Sequence, residues 1–146
     1  MERLTQPTDS DGHTRVFVYG TLKPGECLWS SLAPYVSAYE YAVVNGYEIF
    51  VADGIPYPLV HRSACGVVSG YVCTLKPQRA EEAMSLLDRI EGFVPGDERR
   101  SLFVREGTVA VTSTTEDLRT WIYRAGPLSS TAARPLGSVS WSRGGD

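Results

Sequence analysis

Only one stretch of this chain carries the apolar spacing of a sizeable helix, residues 77–90. Around it lie short β-branched and aromatic runs separated by turn residues. That pattern restricts the fold to α+β, with a curled sheet or barrel wrapped on one main helix. Strands are expected at 15–19, 38–44, 47–51, 67–74, 102–112 and 118–124, and a short helix at 29–32 stopped before Pro34. Asn45-Gly46, Asp53-Gly54 and the prolines Pro56 and Pro58 read as turns, and Glu106-Gly107 as a bulge or turn. With 146 residues and 42% hydrophobic composition the chain suits one domain. The expected division is a flexible N-terminal tail (1–14), a folded domain (15–125) and a Gly/Ser/Pro/Arg-rich C-terminal tail (126–146).

Charged residues make up 21% and the net charge is −3. Nothing in that balance calls for nucleic acid or an anionic membrane as partner, and a small molecule suits it better. No run approaches the ~18 apolar residues of a membrane span, and the polar N-terminus lacks the apolar core of a secretory signal. The cytoplasm is the default expectation. Cys27, Cys65 and Cys73 contain no CxxC pair, and His13 and His61 form no spaced ligand set, so neither a disulfide framework nor a metal site is expected. A triad mechanism has poor support, because His61 stands as its sole base and no nucleophile elbow is present.

Helical phase singles out one carboxylate. At ~100° per residue, Ala80, Ala83, Met84 and Ile90 fall within about 60° of Leu87, and Glu81, Glu82, Ser85 and Arg89 fall opposite. Glu91 comes out about 40° from Leu87, inside the apolar arc. Burial there disfavours the charged carboxylate, and the helix C-terminus adds roughly 0.3–1 kcal/mol against an anion. Both effects raise its proton affinity toward the range useful for acid–base chemistry at neutral pH. The competing arrangement turns Glu91 to solvent or pairs it with Arg89, Arg99, Arg100 or Arg105. Gly92 is placed to end the helix.

The loop 20–26 follows the first strand. A glycine ending a strand before a sharp turn lets successive amides converge on a polarised oxygen or an anion. Tyr19-Gly20-Thr21-Leu22 supplies a permissive glycine, a hydroxyl and apolar neighbours. By itself this is also the makeup of an ordinary loop, and Lys23 beside Pro24-Gly25 reads as a solvated loop residue.

The run Val16-Phe17-Val18-Tyr19-Gly20-Thr21-Leu22-Lys23-Pro24-Gly25 resembles the opening motif of the γ-glutamyl cyclotransferase-like family, which includes γ-glutamylamine cyclotransferases and plant avirulence-induced-gene-like proteins. Leu87-Asp88-Arg89-Ile90-Glu91-Gly92-Phe93 resembles its second signature, Leu-Asp-x-x-Glu-Gly-aromatic. Weaker echoes stand at 57–60, 66–72 and 121–123, in the family's order, so the resemblance spans residues 16–123. It implies a compact mixed β-barrel with packed helices. It also implies Glu91 as proton acceptor and Tyr19, Gly20, Thr21 and Leu22 as the binders of a γ-glutamyl group. No cofactor or metal is implied. The implied activity releases 5-oxoproline and a free amine from a γ-glutamyl amide or γ-glutamyl amino acid, acting as a monomer by default.

The sequence departs from the family in three places. Phe103-Val104-Arg105 stands where Tyr-x-Arg is common, the 95–100 segment is highly charged, and the usual ending is blurred into residues 137–141. Two other readings stay open at this level. One is a non-catalytic γ-glutamyl-binding or regulatory domain of the same fold. The other is a hydrolase or transferase using Cys27 as nucleophile.

Overall fold

The computed structural model describes residues 12–129 and 132–142. Residues 1–11 of the expected N-terminal tail, and 130–131 and 143–146 of the expected C-terminal tail, lie outside that range.

Five strands close into a barrel: β1 (Arg15–Val18), β2 (Val36–Val51), β3 (Leu59–Leu75), β4 (Phe103–Val111) and β5 (Leu118–Ala125). Their order runs β3-β1-β5-β4-β2 and returns to β3 through a β2–β3 pairing, while the short β6 (Arg134–Pro135) adds to the β2 edge. The barrel is mixed, because β1 lies parallel to β5 and the other neighbours are antiparallel. Closure removes the unpaired edges that an open sheet of this size would expose.

Strand alternation sorts the side chains into two layers. Phe17, Val44, Ile49, Val72 and Ile122 fill the barrel interior. Val16, Val18, Cys73, Trp121 and Tyr123 point outward and form a second core with the main helix, α2 (Ala80–Glu91). The smaller α1 (Trp29–Leu32) ends, as expected, just before the turn at Ala33–Tyr35 that contains Pro34. In α2 the buried side is Ala83, Met84, Leu87 and Asp88. Pro77 opens a tight turn before the helix, and Glu81 and Glu82 occupy its first turn, where the dipole favours anions. Gly92 ends it in the left-handed region (φ 68°), and the Phe93 amide closes onto the Asp88 carbonyl at 2.9 Å.

Three local expectations are corrected. Asn45-Gly46 is not a turn between two strands. β2 runs straight through it, with Gly46 at φ 92° and a register shift between Asn45 and Tyr47, because both flanks pair with the same partner. β3 begins at Leu59 rather than 67, since residues 59–62 pair with 47–50. Glu106-Gly107 is neither bulge nor turn, as the two residues pair regularly with Ile122 and Trp121.

Residues 134–141 lie against the barrel. Leu136 donates to the Ile49 carbonyl at 2.9 Å, and Ser69 donates to the Val139 carbonyl at 2.7 Å. Leu136 and Trp141 pack onto the interior cluster.

Candidate functional site

Where β1 runs out, the Tyr19–Leu22 loop, the end of α2 and the outer face of β5 meet around a cavity of about 190 Å³. That is below the ~300–1,000 Å³ of sites that enclose drug-sized ligands, so it suits a small acyl group. Tyr19, Gly20, Thr21, Leu22 and Glu91 all line it, together with Pro58, Phe103 and Tyr123. All five residues singled out from the sequence therefore share one hollow.

The loop is tightly turned. The Lys23 amide donates to the Gly20 carbonyl at 3.0 Å and the Leu28 amide to the Thr21 carbonyl at 2.8 Å. The amides of Thr21 and Leu22 donate to no atom among the described residues. Orphan donors of this kind are costly unless a ligand or water accepts from them. Gly20 is required by contact rather than by its own dihedrals. A Cβ there would stand 2.8 Å from Cγ of Pro58.

Lys23 is not solvated, as its sequence neighbours suggest. It is 9% exposed, and its Nζ donates to the Trp141 carbonyl. Burial lowers its proton affinity, against the charge of Glu26. The reason is non-local: the C-terminal segment folds over the loop.

Glu91 makes no ion pair among the described residues, so none of the four candidate arginines holds it. Burial, and after it the charge of Asp88, pushes its carboxyl up to about 7. The expected direction holds, with Asp88 as a contributor that helical phase had not flagged.

Asp88 stands one helical turn before Glu91 and is 9% exposed. Arg105 grips it with two bonds, Nε to Oδ1 and Nη2 to Oδ2, both 2.9 Å. The Tyr123 hydroxyl donates to Oδ1 at 2.7 Å. Arg105 and Tyr123 are direct cross-strand partners on β4 and β5, so the hairpin presents both donors to the helix at one level. The Arg105 guanidinium also lies 4.3 Å over the Trp121 ring. Tyr123 is fixed from its backbone too, because the Tyr19 hydroxyl donates to its carbonyl at 2.6 Å. Sequence reasoning carried Asp88 only as a motif letter and Arg105 as a partner for Glu91. The one available signal was the cross-strand spacing of a buried arginine and tyrosine, which needs the register to be known.

Cys27, Cys65 and Cys73 are free, and Cys27 is exposed and does not line the cavity. Phe103 lines it and packs against Tyr57 with ring centroids 5.9 Å apart.

The barrel matches known structures. A mouse AIG2-like protein superposes with a TM-score of 0.69 at 14% identity, covering 88% of each chain. A protein of Arabidopsis thaliana gives 0.61 at 22% identity, covering 91% of this chain and 79% of that one. A structure of a gamma-glutamyl cyclotransferase gives 0.53 at 11% identity, covering 87% and 73%. At these identities the likeness speaks for the fold. No curated protein matches the chain in sequence. The family model described as "Gamma-glutamyl cyclotransferase, AIG2-like" matches residues 16–143, nearly the whole chain and both motifs, and the chain belongs to that family.

Proposed function

We propose that this protein cyclises a γ-glutamyl amide, releasing 5-oxoproline and a free amine. One observation carries the reading: an unpaired carboxyl poised near neutrality, Glu91, opens onto the same small cavity as a loop with unsatisfied amides. The α-amine of the γ-glutamyl group attacks its own γ-carbonyl and closes a five-membered ring. Nucleophile and electrophile share one molecule, so proximity comes largely from the substrate, and the enzyme selects the cyclising conformer and moves protons.

The amine attacks only when neutral. Glu91 as carboxylate accepts its proton and returns it to the departing nitrogen, a role typically worth ~10²–10⁴-fold. The loop Tyr19–Leu22 binds the γ-glutamyl group, its amides donating hydrogen bonds to the substrate carboxylate or to the developing oxyanion. No step needs a cofactor or a metal. The exposed position of Cys27 outside the cavity argues against a thiol nucleophile. We place the enzyme in the cytoplasm, working as a monomer. We assign residues 15–125 as the core of the folded unit, with residues 134–141 laid over the barrel as part of the same unit rather than as a free tail.

A panel of γ-glutamyl amides and γ-glutamyl amino acids, assayed by mass spectrometry, tests this. The expected product is 5-oxoproline with the matching amine. Free glutamate instead would identify a hydrolase, and binding of panel members without turnover would identify a binding domain.

A further inference from the structure

Lys23 is tied at both of its ends. The backbone bonds of its turn are local: the Lys23 amide to the Gly20 carbonyl, the Leu28 amide to the Thr21 carbonyl, and the Glu26 amide to the Lys23 carbonyl at 2.9 Å. Thr21 and Leu22, whose amides are unsatisfied, lie between Gly20 and Lys23. The Lys23 side chain leaves the turn altogether. Its Nζ donates to the Trp141 carbonyl, 118 residues further along the chain. A lysine ordinarily keeps its ammonium in water and its stem mobile, and burial costs it both. Here the residue is buried, and its proton affinity is lowered for that reason.

The acceptor is itself fixed, and by other elements. β6 pairs with Phe50 and Val51 of β2, and the Leu136 amide extends that pairing to the Ile49 carbonyl. Further on, the Val139 carbonyl accepts from both the amide and the hydroxyl of Ser69, at 2.7 and 3.3 Å. Leu136 and Trp141 pack on the interior cluster, to which Tyr19 at the head of the loop also belongs. The segment that holds Lys23 is therefore anchored on β2, β3 and the barrel core.

We propose that Lys23 is a positioning residue: its tie to Trp141 holds the turn that carries the Thr21 and Leu22 amides, and makes residues 134–141 a working part of the site. This rests on the cyclotransferase reading and adds to it what keeps the binding loop in shape. Donors serve a reaction best when they are aimed before the substrate arrives. A surface turn closed by local bonds alone samples several arrangements, and ordering it on binding lowers affinity. Anchoring the residue after Leu22 to a fixed carbonyl removes that freedom from the free enzyme. Lys23 does not line the cavity, so it acts through Leu22.

A lysine that only fastens the C-terminal segment predicts a loss of stability and nothing more. Lys23→Met keeps a long stem and removes the donor, and Trp141→Ala unseats the acceptor from the barrel. Steady-state 5-oxoproline release from a panel substrate is expected to show KM raised about tenfold in each, with kcat within about twofold of wild type. Both changes break one tie, so the double variant is expected to be no worse than the poorer single. A folded Lys23→Met with wild-type KM, or effects that multiply in the double variant, overturns the proposal.

If either single variant does not fold, hydrogen exchange on the wild-type protein replaces the cycle. The probe is a γ-glutamyl analogue with a methylene in place of the γ-carbonyl, which binds without cyclising. Coupling between two places is reciprocal, so the analogue is expected to slow exchange at residues 136–141 as well as at 21–23. Slowing confined to the loop counts against the proposal. Failure of the underlying reading looks different. Wild type would give no 5-oxoproline from the panel and the analogue would slow exchange nowhere, and both claims would fall together.

Discussion

The β4–β5 hairpin carries a carboxylate–arginine–tyrosine cluster on each of its two faces. On the outer face, beneath α2, Arg105 and Tyr123 hold Asp88. On the opposite face Glu106 accepts from Arg62 at 2.5 Å, from Arg124 at 2.7 Å and from the Tyr47 hydroxyl. The ingredients are the same and the surroundings are not. Arg62 is 66% exposed at its side chain, whereas the Asp88–Arg105 pair is 11–12% exposed. For Glu106 burial is outweighed by its hydrogen bonds with Arg62, Tyr47 and Arg124, and it is held below the usual carboxylate range. Asp88 instead has an unpaired second carboxyl one turn away on a cavity wall, and there its charge helps keep Glu91 near neutrality. A charged network becomes part of a reactive site through what it adjoins, not through what it contains.

The largest expected difference lies in breaking the two arginine pairs. Arg105→Met strands a buried carboxylate and is expected to cost about 3–5 kcal/mol in urea denaturation. Arg62→Met removes one exposed partner from a carboxylate that keeps two others. It is expected to cost no more than about 1 kcal/mol and to leave kcat unchanged. Equal costs would remove the contrast.

Glu91→Gln sharpens it through pH. Burial pushes the carboxyl up to about 7 in the folded chain from the 4.5 of a free glutamate side chain, so between those values the folded protein holds a proton that the unfolded chain gives up. Stability from this group therefore falls as pH rises from 4.5 to 7 and stays low above. Discounted for its partial exposure, Glu91→Gln is expected to be more stable than wild type by about 1–3 kcal/mol at pH 8, and no more stable at pH 4. Denaturation at the two pH values checks this. A similar size is expected for Gly20→Ala, where the added methyl meets the Pro58 ring: a loss of about 1–3 kcal/mol with a raised KM.

The smallest effect sought is a shift in rate profile. Asp88→Asn removes the charge that raises Glu91, so the acid limb of kcat/KM is expected to move from about 7 to lower pH, while Glu106→Gln leaves it in place.

How much of this was legible follows from the range of each signal. Helix periodicity is local, so residues 77–90 announced the helix, its end near Gly92 and the apolar phase of Glu91. The Tyr19–Leu22 loop was recognisable by its motif alone, and its unsatisfied amides emerge only once the turn is built. Asp88 lies about 100° from the helix's apolar centre, and it is drawn inward by Arg105 and Tyr123 from strands that sequence pattern does not order. Asn45-Gly46 has the chemistry of a hairpin turn, and only the shared partner β3 makes it a bulge. Leu136 and Trp141 are single apolar residues in a polar stretch, so no period reveals that both pack on the barrel or that the backbone there anchors Lys23.

The claim on which the rest depends is that Glu91 moves the proton. The direct measurement is 5-oxoproline release, by mass spectrometry, from the best substrate of the panel by wild type and Glu91→Gln at pH 8. The account predicts a folded variant with kcat lowered by ~10²-fold or more. A folded Glu91→Gln protein turning over at the wild-type rate would contradict it.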